Sequence, residues 1–374
     1  MKKKLMALTK AQQIEAAIRD GIVSGRWPVG SRLPGETSLM EEFGIGRSTF
    51  REAMSALAKE GLLVSRHGKG TFITGMPAAR SIAICTRVNL FSAYQAHWGV
   101  RLLERMRNVV ETHGYRALTV VAHGDTVAEQ QASINFTDPN VIKDIDGVIA
   151  LNGTRFIYDR IHEAGIKLVS ITRPVPEERG FSVVLDYAAL TARAAGILAA
   201  QGHDDFAVIY YRRPKERRTV DEDYYEEFEG LVRNAVNGDE ARLIGLDREF
   251  SYETVKEAFL RWWERPGRGR ALLVYDDSIC EILCALFLVL GIRVPEDLSV
   301  ITQGGRERDF FFPLAFTRIG FDPQRTALAA WQLLEAQWNA PDELPGTYVK
   351  VAPELFPGNS VAGRDSHAGY RERR

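Results

Sequence analysis

The 374-residue sequence predicts a two-part protein: a small helical head closed by a β-hairpin, then an α/β body of two similar lobes. Three observations predict this. Residues 10–60 carry three helical apolar periods, and residues 62–74 two short β-type runs around a glycine-rich tip. From Ser81 the pattern changes to buried β-type runs alternating with helical stretches, as in a parallel sheet covered by helices. That second region, about 275 residues, is long for a single doubly wound layer, so two lobes fit it better.

Charge divides at the same place. The chain has a net charge of -1, yet residues 1–75 hold twelve Lys or Arg against seven Asp or Glu, a net of +5, which leaves the remainder at -6. A basic head on an acidic body predicts that the head meets a polyanion. The competing explanation is a lysine-rich start, since Lys2, Lys3 and Lys4 supply three of those charges. A hydrophobic fraction of 45% is enough to build a core.

In the head, Thr9 followed by Gln12 has capping-box spacing. Ile14, Ala17, Ile18 and Ile22 mark one face of a first helix that Gly25 closes. A loop with Pro28 and Pro34 follows, then a short helix lined by Leu39, Met40 and Phe43 that stops at Gly44. The third helix opens at Gly46 and ends at Gly61. Its apolar stripe is Phe50, Ala53, Met54, Leu57 and Ala58, and its polar face carries Arg47, Ser48, Arg51 and Ser55. A guanidinium can fork onto a guanine edge or a phosphate, and Ser or Thr can take phosphate oxygens. Two β-type runs then flank Arg66, His67, Gly68, Lys69 and Gly70, a basic tip whose glycines permit close approach to a backbone or minor groove. Taken alone, the helix face and the tip would each read as solvated basic surface. Three helices and a hairpin together make a winged helix.

Residues Gln13 to Thr74 resemble the DNA-binding domain of GntR-type bacterial transcriptional regulators. Among the matching positions are Gly30, Leu33-Pro34, Glu36, Leu39, Arg47, Thr49, Arg51, Ala53, Leu57, Glu60-Gly61 and Gly68-Lys69-Gly70-Thr71. The chain departs from the pattern at Gly35, Thr37 and Gly46. The resemblance implies DNA contacts by Arg47, Ser48, Thr49 and Arg51 on the helix and by His67, Gly68 and Lys69 on the wing.

Residues 76–80 read as a linker. Beyond them, runs 81–86, 117–122, 147–151, 167–172, 182–186, 206–211, 271–275 and 298–302 predict buried strands. Gly114, Gly165, Gly202 and Gly291 close intervening helices just before the next strand.

Two phrases in this region resemble the LacI/GalR regulators and related sugar-binding proteins. The first is Val183-Val184-Leu185-Asp186 with the helix ending Gln201-Gly202-His203. The second, more specific, is Gly291-Ile292-Arg293-Val294-Pro295-Glu296-Asp297-Leu298-Ser299-Val300. The resemblance implies two Rossmann-like, periplasmic-binding-protein-like lobes over residues 81–357, joined by three crossovers, with a cleft between them and dimerisation through them. It places effector candidates at Phe91, Trp98, Arg155, Arg173, Asp186, Tyr210 and Asp277, aromatics stacking on a ring face and charged groups bonding hydroxyls. Plainer readings stand beside these: Phe91 and Trp98 as core or dimer surface, Asp186 and Asp277 as helix caps, Arg173 paired with Glu177 or Glu178. The chain departs from the related regulators at Tyr224 and Glu227, and at Gln303-Gly304-Gly305.

Cys85, Cys280 and Cys284 lack zinc spacing, and the last two sit four apart in an apolar run, so packing is expected and no metal. There is no Walker loop, no Gly-x-Ser-x-Gly elbow and no His-Glu-x-x-His, so no enzymatic activity and no cofactor is expected. A pyridoxal-phosphate-binding, aminotransferase-like body, carried by some GntR-type regulators, would need more residues. Met1 to Lys10 is basic without a following apolar stretch, and no run of eighteen apolar residues exists, so a reducing cytoplasm is expected and no membrane partner. Residues 358–374, polar and arginine-bearing, are expected to be disordered. The expected whole is a ligand-responsive repressor of a carbohydrate operon, a homodimer on a palindromic operator of double-stranded DNA, with a sugar-like effector. The alternatives are a non-sugar effector, or an architectural DNA-binding protein with none.

Overall fold

The computed structural model describes residues 9–59, 61–66, 68–74, 81–86, 97–122, 142, 145–172, 181–212, 222–247, 250–339 and 348–364, without the side chains of residues 23, 97, 155 and 222–225.

The head is built from α1 (Lys10–Val23), α2 (Glu36–Phe43), α3 (Arg47–Lys59), β1 (Leu63–Arg66) and β2 (Gly70–Ile73). The predicted capping box is present: the Thr9 hydroxyl accepts from the Gln12 backbone N–H at 3.2 Å, and the Thr9 N–H donates to Gln12 Oε1 at 2.9 Å. Gly44 ends α2 in the left-handed conformation, φ 64°. Leu57, Ile18, Leu39 and Ala53 are fully buried, and Phe50, Leu63 and Ile73 join the same core. Gly21 is required inside α1, because a Cβ there would lie 2.4 Å from the Trp27 ring. Ala58, predicted on the apolar stripe of α3, is exposed; it lies beyond the arc that Phe50, Ala53 and Leu57 bury.

The body contains two six-stranded sheets. The first has the order β13-β7-β6-β5-β3-β4, from β3 (Ser81–Thr86), β4 (Arg116–Val121), β5 (Ile145–Leu151), β6 (Lys167–Ile171), β7 (Phe181–Leu185) and β13 (Tyr348–Val351). The second has the order β14-β12-β11-β10-β8-β9, from β8 (Ala207–Tyr211), β9 (Leu243–Leu246), β10 (Ala271–Val274), β11 (Ser299–Gln303), β12 (Thr317–Gly320) and β14 (Glu354–Phe356). The neighbouring strands β5, β6, β7 and β13 pair in parallel, as do β9, β8, β10, β11 and β12, while β14 runs antiparallel on β12.

Among the described residues, the α-helices of the body are α4 (His97–Thr112), α5 (Arg155–Glu163), α6 (Tyr187–Ala200), α7 (Glu222–Ala235), α8 (Tyr252–Trp263), α9 (Asp277–Leu290) and α10 (Pro323–Asn339). The chain leaves the first sheet between β7 and α6, leaves the second between β12 and α10, and returns to it between β13 and β14. These are the three crossovers. The eight predicted strands lie within two residues of observed ones, while β9, β12, β13 and β14 were not predicted. They are short, and all four lie at or next to a sheet edge, where the apolar run thins.

Cys85, Cys280 and Cys284 are all buried and form no disulfide, as packing residues would be. The tail expectation is corrected for residues 358–364. The buried Ser360 accepts from the Val300 N–H at 2.7 Å through its carbonyl, Ala362 O bonds a His203 ring nitrogen at 2.8 Å, and Arg364 pairs with Asp205 at 3.1 Å. Composition suggested disorder; backbone pairing along the second lobe supplies the order.

Candidate nucleic-acid and effector sites

On α3, Arg47, Ser48 and Arg51 are exposed, turned away from Phe50, Ala53 and Leu57, and Thr49 is half-buried one turn before Ala53. Arg47 is held: its Nε donates to Glu36 Oε1 at 2.9 Å, from the first turn of α2. At the wing tip Gly68 has φ 68°, a conformation that a β-branched residue resists, and Lys69 is exposed. The expected contact at His67 lies outside the described residues.

In the body, the carboxyl ends of β8, β10 and β12 gather aromatic rings where the lobes meet. Trp98 on α4 meets Phe321, ring centroids 6.5 Å apart, and its indole N–H donates to Phe321 O at 2.9 Å. Phe321 meets Tyr187 at 5.2 Å, Tyr187 meets Phe228 at 5.7 Å, and Phe228 meets Tyr275 at 5.0 Å and Tyr210 at 6.3 Å. Burial, then the nearby Glu229, raises the Tyr210 hydroxyl above its ordinary value. Burial likewise raises that of Tyr275, whose hydroxyl packs on Thr191 Oγ1. These two phenols are therefore neutral donors at any physiological pH. Glu307 joins the lobes from the second side, 2.6 Å from Arg105 and 3.6 Å from Arg101.

The candidates fare differently. Trp98 and Tyr210 belong to this aromatic assembly. Asp186 caps α6, its Oδ1 accepting from the Ala189 N–H at 2.9 Å, while its Oδ2 faces Lys350 Nζ at 3.7 Å. Asp277 neither caps α9 nor stands open. Asp276 is the cap, at φ 90°, accepting from the Ser278 N–H at 2.8 Å, and the Asp277 carboxylate lies buried 3.1 Å from Arg308 Nε. Arg155 opens α5 after the Thr154 cap, its side chain outside the described atoms, and Phe91 and Arg173 lie outside the described residues. Sequence reading passed over Tyr187, Phe228, Tyr275 and Phe321. The available signal was position, since Tyr187 follows the β7 turn, Tyr275 the end of β10 and Phe321 the end of β12.

Residues 10–73 match the gntR family of bacterial regulatory proteins, and residues 195–361 the periplasmic binding protein-like domain. The chain is 22% identical over 314 residues to the arabinose metabolism transcriptional repressor of Geobacillus stearothermophilus, covering 79% of this chain and 81% of that one. Its fold resembles a LacI family regulator from Weissella paramesenteroides with bound glucose, TM-score 0.60 at 17% identity, covering 76% of this chain and 100% of the other. It also resembles a LacI family regulator from Enterococcus faecium with bound ribose, TM-score 0.58 at 15% identity, covering 76% and 99%.

Proposed function

We propose, for a chain that joins a gntR-family head to a periplasmic-binding-protein-like body, that it is a transcriptional repressor of carbohydrate metabolism whose grip on DNA answers to a small polyhydroxylated effector. The observation that carries the reading is the coexistence of two site chemistries in one chain. One is the exposed Arg47–Arg51 face of α3; the other is an aromatic assembly with neutral phenols and the Asp186 and Asp276 carboxyls at strand ends. Arg47, Ser48, Thr49, Arg51, His67, Gly68 and Lys69 contact the operator. Trp98, Tyr210 and Asp186 contact the effector, together with Tyr187 and Asp276, which sequence reading did not select.

The repressor works as a dimer on a palindromic operator, since two-fold protein symmetry is matched by two-fold DNA. Support for self-association is the exposure of Leu288 at 58%, Val289 at 73% and Phe311 at 90% on the second lobe, apolar side chains that a monomer leaves in water. The effector acts by its different affinities for two arrangements of the lobes, which bias the paired heads. Gly304 and Gly305 offer no side chain to a sugar hydroxyl, so a non-sugar effector is the second reading.

The test is a thermal-shift screen of arabinose, ribose, glucose, cellobiose, sugar phosphates and sugar acids, followed by a gel shift on the DNA flanking the chain's own gene. One class should raise the melting temperature, by an amount equivalent to about 2.7 kcal/mol at a hundred times Kd, and should change the gel shift. DNA binding that no compound alters would leave an architectural protein instead.

A further inference from the structure

A short bridged segment lies along the free edge of β2 in the wing. Residues 30–33 pair with β2: the Gly30 N–H donates to Ile73 O at 2.8 Å, the Ile73 N–H to Ser31 O at 3.0 Å, and the Leu33 N–H to Thr71 O at 2.9 Å. Arg32 lies directly opposite Phe72 in this pairing. On the other side of β2 the register sets Val64 against Phe72 and Arg66 against Gly70. Side chains opposite one another across an antiparallel pair share a face. Leu33, Leu63 and Ile73 therefore form the buried face, and Arg32, Val64, Arg66, Gly70 and Phe72 the solvent face.

That solvent face is organised around a gap. Gly70 has φ 103°, and a Cβ placed on it would lie 2.5 Å from Arg32 Nε, so the Arg32 guanidinium lies over the glycine backbone. From the facing strand Arg66 reaches the Phe72 ring, its Cζ 5.1 Å from the centroid. Both arginines are exposed, and no carboxylate pairs with either among the described residues. Residues 24–35 and 61–74 contain no Asp or Glu at all. Two like charges seated on one face without a counter-charge repel each other, and an anion laid across them removes that repulsion.

We propose that this solvent face of the wing sheet is a second docking surface for the phosphate backbone of duplex DNA, with Arg32 and Arg66 each taking a phosphate. The proposal rests on the DNA-binding reading of the head. It adds contacts that carry charge without reading bases.

The experiment is fluorescence anisotropy with a labelled random-sequence duplex, titrated at several salt concentrations with the full chain. Wild type is compared with R32A, R66A, the double variant, R32K, and R261A as an exposed body cation. Each lost phosphate contact should flatten the plot of log K against log salt by about 0.9. R32A and R66A should each lose about one such step and the double variant about two, while R32K and R261A keep the wild-type slope. Both arginines are exposed, so far-UV circular dichroism and melting temperatures should stay at wild-type values. Wild-type slopes in R32A and R66A would overturn the proposal, and so would weaker binding with unchanged slopes, because neutral contacts release no counterions. If wild type itself shows no salt-dependent binding, the DNA-binding reading falls. If wild type binds and R47A weakens it while R32A and R66A do not, the wing surface alone falls.

Discussion

The Arg308 guanidinium lies 3.1 Å from the Asp277 carboxylate, with side-chain exposures of only 9% and 5%. Arg308 also reaches Glu281 Oε2 at 2.6 Å and the carbonyl oxygen of Asp309 at 3.1 Å, so it ties the β11–β12 connection to α9. Removing the cation strands a buried anion. Arg308→Met should therefore destabilise the body by about 3–5 kcal/mol, and Arg308→Met with Asp277→Asn by less, because the second change removes the uncompensated charge. Denaturant melts of the two variants check this. Equal losses would mean that the pair is not energetically coupled.

On the head, Arg51→Ala should weaken operator binding by about 1–3 kcal/mol if the guanidinium reads a base, and relax specificity there. Arg47→Ala should cost at least as much, because it also leaves Glu36 facing the phosphates without its 2.9 Å partner. Neither should move the melting temperature much, since exposed pairs contribute little. A gel-shift titration in which both variants bind as wild type does would remove α3 from the interface.

Asp186 has two roles that one pair of substitutions separates. Asp186→Asn retains an oxygen for the Ala189 N–H and loses the charge opposite Lys350. It should keep stability and DNA binding but lose effector response. Asp186→Ala should in addition cost about 1 kcal/mol through the lost cap. Normal effector affinity in both, by calorimetric titration, would reduce Asp186 to a cap.

Asp276 should make stability depend on pH. Burial raises its carboxyl above the ordinary 3.8, against the pull of Ser278 and Arg308. The folded chain therefore holds this proton more tightly than the unfolded chain. Its contribution is fully present below the unfolded value and is lost as pH rises through the raised one. Asp276→Asn should melt with wild type in acid and above it at neutral pH. Parallel melting curves across that window would mean that the carboxyl is not shifted.

Self-association should depend on the exposed apolar side chains of the second lobe. Val289→Asp and Phe311→Ser should convert a dimer into a monomer by sedimentation without loss of fold, since both residues already face water in one chain. Unchanged sedimentation would place the dimer contact elsewhere.

Local physics alone determined much of this protein. A Thr-x-x-Gln cap, a 3.6-residue apolar period and glycines at helix ends act over a few residues, so α1, α2, α3, the wing and strands β3 to β8, β10 and β11 were legible, as was the exposed face of Arg47 and Arg51. Strands β13 and β14 were not, because they are held by partners distant in the chain and carry little apolar pattern of their own. Residues 358–364 were misjudged for the same reason: their order comes from Val300, His203 and Asp205. Adjacent aspartates show the limit most clearly. Asp276 and Asp277 are indistinguishable in sequence, yet one caps a helix at a strand end and the other is paired with Arg308, thirty-one residues away. Which carboxylate finds a cation depends on how β11 and β12 return past α9, and that is decided only when the sheet closes.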